Sequence, residues 1–360
     1  MRRTHLKLGI ASFELIKGLA MMTVVIGHMV SYYNVEQLAL FYLPGIFVTI
    51  IGKGALVVFF MICGLRFKPK PVKTVLKKSF KEAIIPYLYV MVIITLLYPI
   101  RHRIEYGGWW YRTFLETMRW TVAFLLGIAE HGTVIHGFRL QWCSATWFLL
   151  AMFLSNNLLN LILQNQNVKI QIALVALCAA FGYGLSLLGF EYFCIPQSLI
   201  AVVFCYLGYM IQKYNLLDRL VSWPAFTALA LVSLCYIIWG DFNLAHLEFN
   251  NFLLDYVGVA CLGLLLLILS LYFSKFECAV TEWIENVGVY TYWIMCIHSV
   301  EMAAFPWYRF NKLAPESYQP LMFLLELALK AVIIGTFCML LKKYTMFKLK
   351  RKRKALAGTK

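Results

Sequence analysis

The chain has 360 residues, of which 62% are hydrophobic and only 14% charged. Soluble domains run nearer half apolar and about a quarter charged, so lipid must solvate most of this surface. The net charge of +16 gathers beside apolar runs, at Arg66–Lys81 and Lys342–Lys360. No aromatic-basic platform or groove-reading motif accompanies it, which excludes nucleic acid as a partner and leaves anionic headgroups of the bilayer.

Runs of about 20 apolar residues, the length that crosses about 30 Å of hydrocarbon, occur ten times in the chain. They are 8–32, 45–65, 82–100, 144–163, 168–188, 196–212, 224–240, 252–273, 288–306 and 320–342. Each is expected to be helical, because an unpaired backbone cannot cross lipid. The first run lacks a small-residue cleavage site and is expected to be retained. Residues 113–129 carry Glu116 and Arg119 among apolar neighbours and read as an interfacial or partly inserted helix. Both ends of the chain are basic. Under the positive-inside rule that requires an even number of crossings, so 113–129 is not an eleventh span and both termini are cytoplasmic. The expected architecture is an all-α membrane bundle of ten spans over 1–345, with an external segment 101–143 and a basic cytoplasmic tail 346–360.

Seven of the ten cysteines (Cys63, Cys178, Cys205, Cys235, Cys261, Cys296 and Cys338) sit inside apolar runs, where cysteine acts as a small hydrophobe. No C-x-x-C pair occurs, so no metal site is expected.

The first span carries Glu14, Lys17 and His28. Lys17 and His28 are eleven residues apart. That is three helical turns plus about 20°, which places them on one stripe about 16 Å apart along the axis. Glu14 lies within ion-pairing reach of Lys17. Ionisable groups inside a span mark a functional interior, although Lys17 snorkelling to the interface with Glu14 beside it, and His28 bonding a neighbouring helix, fit the same spacing. Glu326 and Lys330, four apart on the last span, read as an intrahelical pair. Lys53, between Gly52 and Gly54, reads as an interfacial lysine or the rim of a cavity. Trp109-Trp110-Tyr111 offers a stacking face for a sugar, and membrane-interface belts have the same composition. Arg139 and Trp142, just before the fourth run, are candidates for an outer mouth.

Five fragments resemble, in order, those of the acyltransferase-3 family of multi-span acyltransferases. The family's D-x-x-R-G with a later histidine is similar to Glu14, Lys17, Gly18 and His28. Its G-x-x-x-F-F-x-x-S-G resembles the stretch from Gly54 through Phe59-Phe60-Met61-Ile62-Cys63-Gly64, and its W-F-L resembles Trp147-Phe148-Leu149. Its L-G-Y resembles Leu207-Gly208-Tyr209, and its late G-x-x-S-Y stretch resembles Gly288 through Tyr290 and Tyr292 to His298. Lysine stands for arginine at 17, glutamate for aspartate at 14 and cysteine for serine at 63.

The resemblance implies a membrane O-acyltransferase, with no permanently bound cofactor and acyl-CoA, usually acetyl-CoA, as co-substrate. The acceptor would be a hydroxyl of a cell-envelope carbohydrate or a lipid-linked glycan at a bacterial plasma membrane. In that reading Arg66, Lys68, Lys73, Lys77 and Lys78 hold the donor phosphates, and His28 is general base with Lys17 and Glu14 as charge stabiliser and orienter. Trp147, Tyr290, Tyr292, His298, Arg139 and Trp142 line the cavity or contact the acceptor. A glycan transporter or flippase, or a catalytically silent partner or sensor, would also need buried charges.

Overall fold

The structure, a computed structural model, describes residues 12–30, 33, 42–129, 134, 135 and 137–357. The basic segment 1–7 lies outside the described residues, as do the side chains of the tail 346–360. Each expected run holds a helix: α1 (Ser12–Val30), α2 (Tyr42–Leu65), α3 (Val72–Ser79) leading into α4 (Ile85–Tyr106), α6 (Trp147–Leu163), α7 (Val168–Leu187), α8 (Ile195–Lys213), α10 (Trp223–Trp239), α11 (Phe252–Phe273), α12 (Ala279–Ala304) and α14 (Gln319–Ala357). Between them lie α5 (Trp110–Leu126), the short α9 (Leu217–Leu220) and α13 (Trp307–Asn311), and two small antiparallel hairpins. The hairpins are β1–β2 (Val134–Ile135 with Phe138–Arg139) and β3–β4 (Phe242–Asn243 with Glu248–Phe249). The tail is continuous with the last span, since α14 runs on to Ala357.

Seven helical stretches among the described residues are long and apolar enough to cross a membrane. The stretch of α2 whose side chains are described, Ile50–Leu65, and all of α10 are shorter, and α12 carries Glu282, Glu285 and Glu301. Large apolar side chains such as Leu96, Leu177, Leu231 and Val332 face outward. In water they would be a liability; in a bilayer they are the lipid-facing surface.

Paired glycines set the helix packing. A Cβ on Gly18 would collide with the Ile284 carbonyl, and one on Gly288 with the Glu14 carbonyl. Moving on to His28, the α12 neighbour is His298, so α1 and α12 run parallel. Gly64 meets the Cys205 carbonyl and Gly208 the Met61 carbonyl in the same reciprocal way, joining α2 to α8. Small residues let backbones approach where lipid supplies no hydrophobic drive. Four motif glycines thus act as two helix crossings.

The third expected span, 82–100, is longer in the structure. One helical stretch runs from Val72 to Tyr106, with a π turn at Phe80–Ile84. The turn precedes Pro86, whose missing N–H leaves the Glu82 carbonyl without its α-helical partner. The Tyr292 hydroxyl donates to that carbonyl instead, at 2.7 Å. At the far end Arg101 pairs with Glu105 at 2.9 Å and donates to the Met302 and Ala303 carbonyls at the end of α12. These tertiary partners hold the extra turns that apolar length alone does not predict.

Helix α5 folds back antiparallel along α4. His102 meets Thr113 at 3.0 Å, Thr95 meets Thr121 at 3.2 Å, and the Tyr87 hydroxyl donates to the Phe124 carbonyl at 2.6 Å. From α5 the chain returns to the bundle, where the Cys143 N–H donates to the Ile128 carbonyl. Lys53 caps the C-terminus of α10, with its Nζ donating to the Gly240 and Ile237 carbonyls at 2.8 and 3.3 Å.

Candidate active site

A cavity of about 1160 Å³ opens between α1, α2, the π turn, α6, α12 and the β3–β4 hairpin. Lys17 and His28 both line it, so the stripe on α1 faces a protein-lined space. Lys81 and Glu82 of the π turn and Tyr292 of α12 line it as well. Trp142, Asn243 and His246 stand near His28. Thr23, Met152, Phe153 and Asn156 line the wall between, with Trp147 and Phe148.

At the basic end, Lys17 Nζ lies 2.5 Å from Glu14 Oε2, and Arg66 donates to Glu14 Oε1 at 3.2 Å. One buried carboxylate thus holds a cation from α1 and a cation from the end of α2, leaving a net positive charge beside the cavity. The loop after α2 is pinned by α6, because the Asn160 side chain both accepts from the Lys70 N–H and donates to the Lys70 carbonyl. Cys63 donates to Asn156 at 2.8 Å, one bond behind the cavity wall.

At the other end the His28 ring lies 6.0 Å from Trp142 and 5.5 Å from His298, centroid to centroid. His298 is fully buried behind His28 and does not itself line the cavity. Its Nδ1 is 2.7 Å from Glu301 Oε1. Lys330 reaches both Glu301 oxygens at 2.7 and 2.8 Å, and the Trp307 indole donates to Oε2 at 2.6 Å. Lys330 also pairs with Glu326 at 3.4 Å, and Tyr33 donates to Glu326 at 2.7 Å. With its amide nitrogen turned toward them, Asn311 donates to both Tyr33 and Glu326.

The structure therefore brings Glu14, Lys17, His28, Trp142, Trp147 and Tyr292 to one cavity or its immediate wall. Lys68, Lys73, Lys77 and Lys78 are exposed on the α2–α3 segment and do not reach it; Lys81 does. Arg139 is exposed on β2, and Tyr290 packs against the core beside the cavity rather than lining it. Sequence reasoning missed Glu301, Tyr33, Asn243 and His246. The expected intrahelical pair of Glu326 and Lys330 is present and belongs to a larger cluster with His298, Glu301 and Tyr33. The available signal was that His298, Glu301 and Lys330 are each ionisable inside an apolar run. Among the described residues no three His, Cys, Asp or Glu side chains converge to hold a metal ion.

One cavity thus joins a basic group to an imidazole. No curated protein and no solved structure matches the chain. The profile of one family, described as an acyltransferase domain, matches residues 10–343. That span covers both ends of the cavity and every helix around it, and the chain belongs to the acyltransferase-3 family of membrane proteins.

Proposed function

We propose that the chain is a membrane O-acyltransferase. It moves an acyl group, acetyl in the simplest case, from a CoA thioester to a hydroxyl of a cell-envelope carbohydrate or lipid-linked glycan in a bacterial plasma membrane. The observation that carries this reading is that Lys17 and His28, three helical turns apart, line one cavity.

The donor enters at the basic end. Lys17, Lys81 and Arg66 take the phosphates as charge-assisted partners, and the exposed Lys68, Lys73, Lys77 and Lys78 raise the local concentration of an anion. The acyl arm lies along the wall between Lys17 and His28, and the acceptor approaches from the end formed by Trp142, Asn243 and His246. Trp142 supplies an aromatic face for a sugar ring. His28, as neutral imidazole, takes the hydroxyl proton while the oxygen attacks the thioester carbonyl. Such proton transfer contributes about 10²–10⁴-fold.

Ten crossings with both termini cytoplasmic give the matching topology. The parallel run of α1 and α12 supports it. Without α5 as a crossing, α12 is the ninth span and points the same way as the first; with α5 it would be the tenth and point the opposite way.

The test is CoA release by the purified chain in lipid nanodiscs supplied with acetyl-CoA, together with mass spectrometry of envelope glycans with and without the gene product. Release that depends on His28 supports the reading. No release from acetyl-CoA or longer acyl-CoA, with envelope glycans unchanged, would overturn it.

A further inference from the structure

The cavity is not walled evenly. On the α6 side Trp147 and Leu149 line it and are buried, and on α1 Met21 and Thr23 are buried too. Between the π turn and α12 the lining reaches the outer surface. Lys81 and Glu82 line the cavity and are exposed, and so do Val289 and Trp293 on α12, at 58% and 42%. The exposed side chains around this gap are apolar: Leu88, Tyr89 and Val92 on α4 and Trp283 on α12. Such a surface has lipid as its solvent, so the gap opens sideways onto the bilayer. A further exposed lining residue, His246, lies on the β3–β4 hairpin, where the acceptor is already placed.

The local sequence accounts for the gap. At the Gly18–Gly288 crossing α1 and α12 meet backbone to backbone. Toward the π turn α12 presents Tyr292 instead, and the side chain bridges to the Glu82 carbonyl. Pro86 lines the cavity beside it with a ring and no N–H to offer. Height along the bundle then decides what the gap can take. Gly288 lies level with Gly18, and His298 with His28. On that register Val289 stands two residues, about 3 Å, beyond Lys17, and Trp293 stands five residues, about 7.5 Å, short of His28. The gap lies between the cation and the imidazole. With the donor thioester at His28 and its phosphates on Lys17 and Lys81, any acyl chain longer than acetyl is within a few methylenes of Trp293. Hydrocarbon gains by lying against Pro86, Val289 and Trp293 and then in lipid, whereas a sugar or phosphate would lose its hydration there.

We infer that the gap between the π turn and α12 is a lateral slot for the acyl chain of a long-chain acyl-CoA. The thioester reaches His28 inside the cavity while the hydrocarbon tail passes between Pro86 and Trp293 into the bilayer. The inference rests on the acyl-transfer reading given above and names the class of donor, a fatty acyl thioester, that the reading leaves open.

The experiment uses the full chain in phosphatidylcholine nanodiscs with two readouts. One is binding, which does not depend on acyl transfer. Palmitoyl-CoA carrying a diazirine at the end of its chain is irradiated, and the cross-linked peptides are read by mass spectrometry. Label is expected within 85–93 of α4 or 289–293 of α12, and unlabelled palmitoyl-CoA should displace it while acetyl-CoA at the same concentration does not. The other readout is CoA release from palmitoyl-CoA and from acetyl-CoA. Val289→Lys sets a charge on the rim and is expected to lower the palmitoyl-to-acetyl ratio of kcat/KM about tenfold, the loss of about two buried methylenes. Val289→Leu should keep that ratio. Label confined to α6 or the β3–β4 hairpin would overturn the slot. So would slot label that palmitoyl-CoA fails to displace, the mark of a groove filled by membrane lipid, or an unchanged ratio in Val289→Lys. If Val289→Lys does not accumulate, the cross-link on the unaltered chain decides alone. Displaceable label at the slot in a chain that releases no CoA would support the slot and sink the transfer reading; CoA release from acetyl-CoA with no label at the slot would do the reverse.

Discussion

The two ends of the cavity differ in how their charges are held. At the basic end Glu14 bridges Lys17 and Arg66, and the Lys17 and Arg66 side chains keep 17% and 39% of their surface exposed. At the imidazole end His298, Glu301, Glu326 and Lys330 are closed off from solvent, with the Lys330 side chain only 1% exposed. Cations that keep contact with solvent are screened by it. Sealed charges are fixed in place and cannot be lost singly without leaving an uncompensated ion. The difference separates a region in contact with solvent from one sealed against it.

The sharpest way to break that contrast is at the base itself. His28→Ala should lower CoA release by about 10²–10⁴-fold while membrane level and the melting profile stay at wild-type values; full turnover would remove His28 from the reaction. Next in size is Lys330→Met, which leaves two buried carboxylates facing one another. It should destabilise the chain by about 3–5 kcal/mol, read as a fall in melting temperature in detergent. Glu14→Gln, which leaves two cations that both keep contact with solvent, should cost less, about 1–3 kcal/mol by the same assay. Equal losses at the two ends would erase the distinction.

The glycine crossings give a prediction of intermediate size. Gly288→Val forces α12 away from the Glu14 carbonyl and should cost about 1–3 kcal/mol, as overpacking does. Gly184→Ala, where an added Cβ meets nothing within 4 Å, should leave stability unchanged. The smallest expected effect concerns the donor. Lys81→Ala should raise the KM for acetyl-CoA about tenfold, the size of one charge-assisted contact, and Lys73→Ala should leave it near the wild-type value. A larger effect at Lys73 than at Lys81 would place the phosphates outside the cavity.

Much of the bundle was legible beforehand, because lipid imposes a simple rule on any segment that crosses it. A run of about 20 apolar residues must close its own hydrogen bonds, so the expected spans and the observed helices coincide to within a turn or two at most ends. The exceptions were the start of α12 at Ala279, the end of α14 at Ala357 and, at both ends, the helix from Val72 to Tyr106. Its last turns carry Arg101 and Glu105 and its first ones are basic, so hydropathy stops where tertiary partners take over. The partner of Lys53 was hidden for a related reason: nothing along the sequence says that this lysine caps α10 from another helix.

The α1 stripe could be placed from spacing alone, since eleven residues return a helix to nearly the same face. The chain by itself thus determined that lipid is the solvent, where the helices lie, and that Lys17 and His28 share one side of the first. Only the folded bundle decided that this side meets a cavity, and that His298, Glu301 and Lys330 converge behind His28 from two helices. The physical reason is that helical periodicity relates residues within one segment. Which segments become neighbours, and at what register, depends on close contacts such as the Gly18–Gly288 crossing, which no pattern along a single helix specifies.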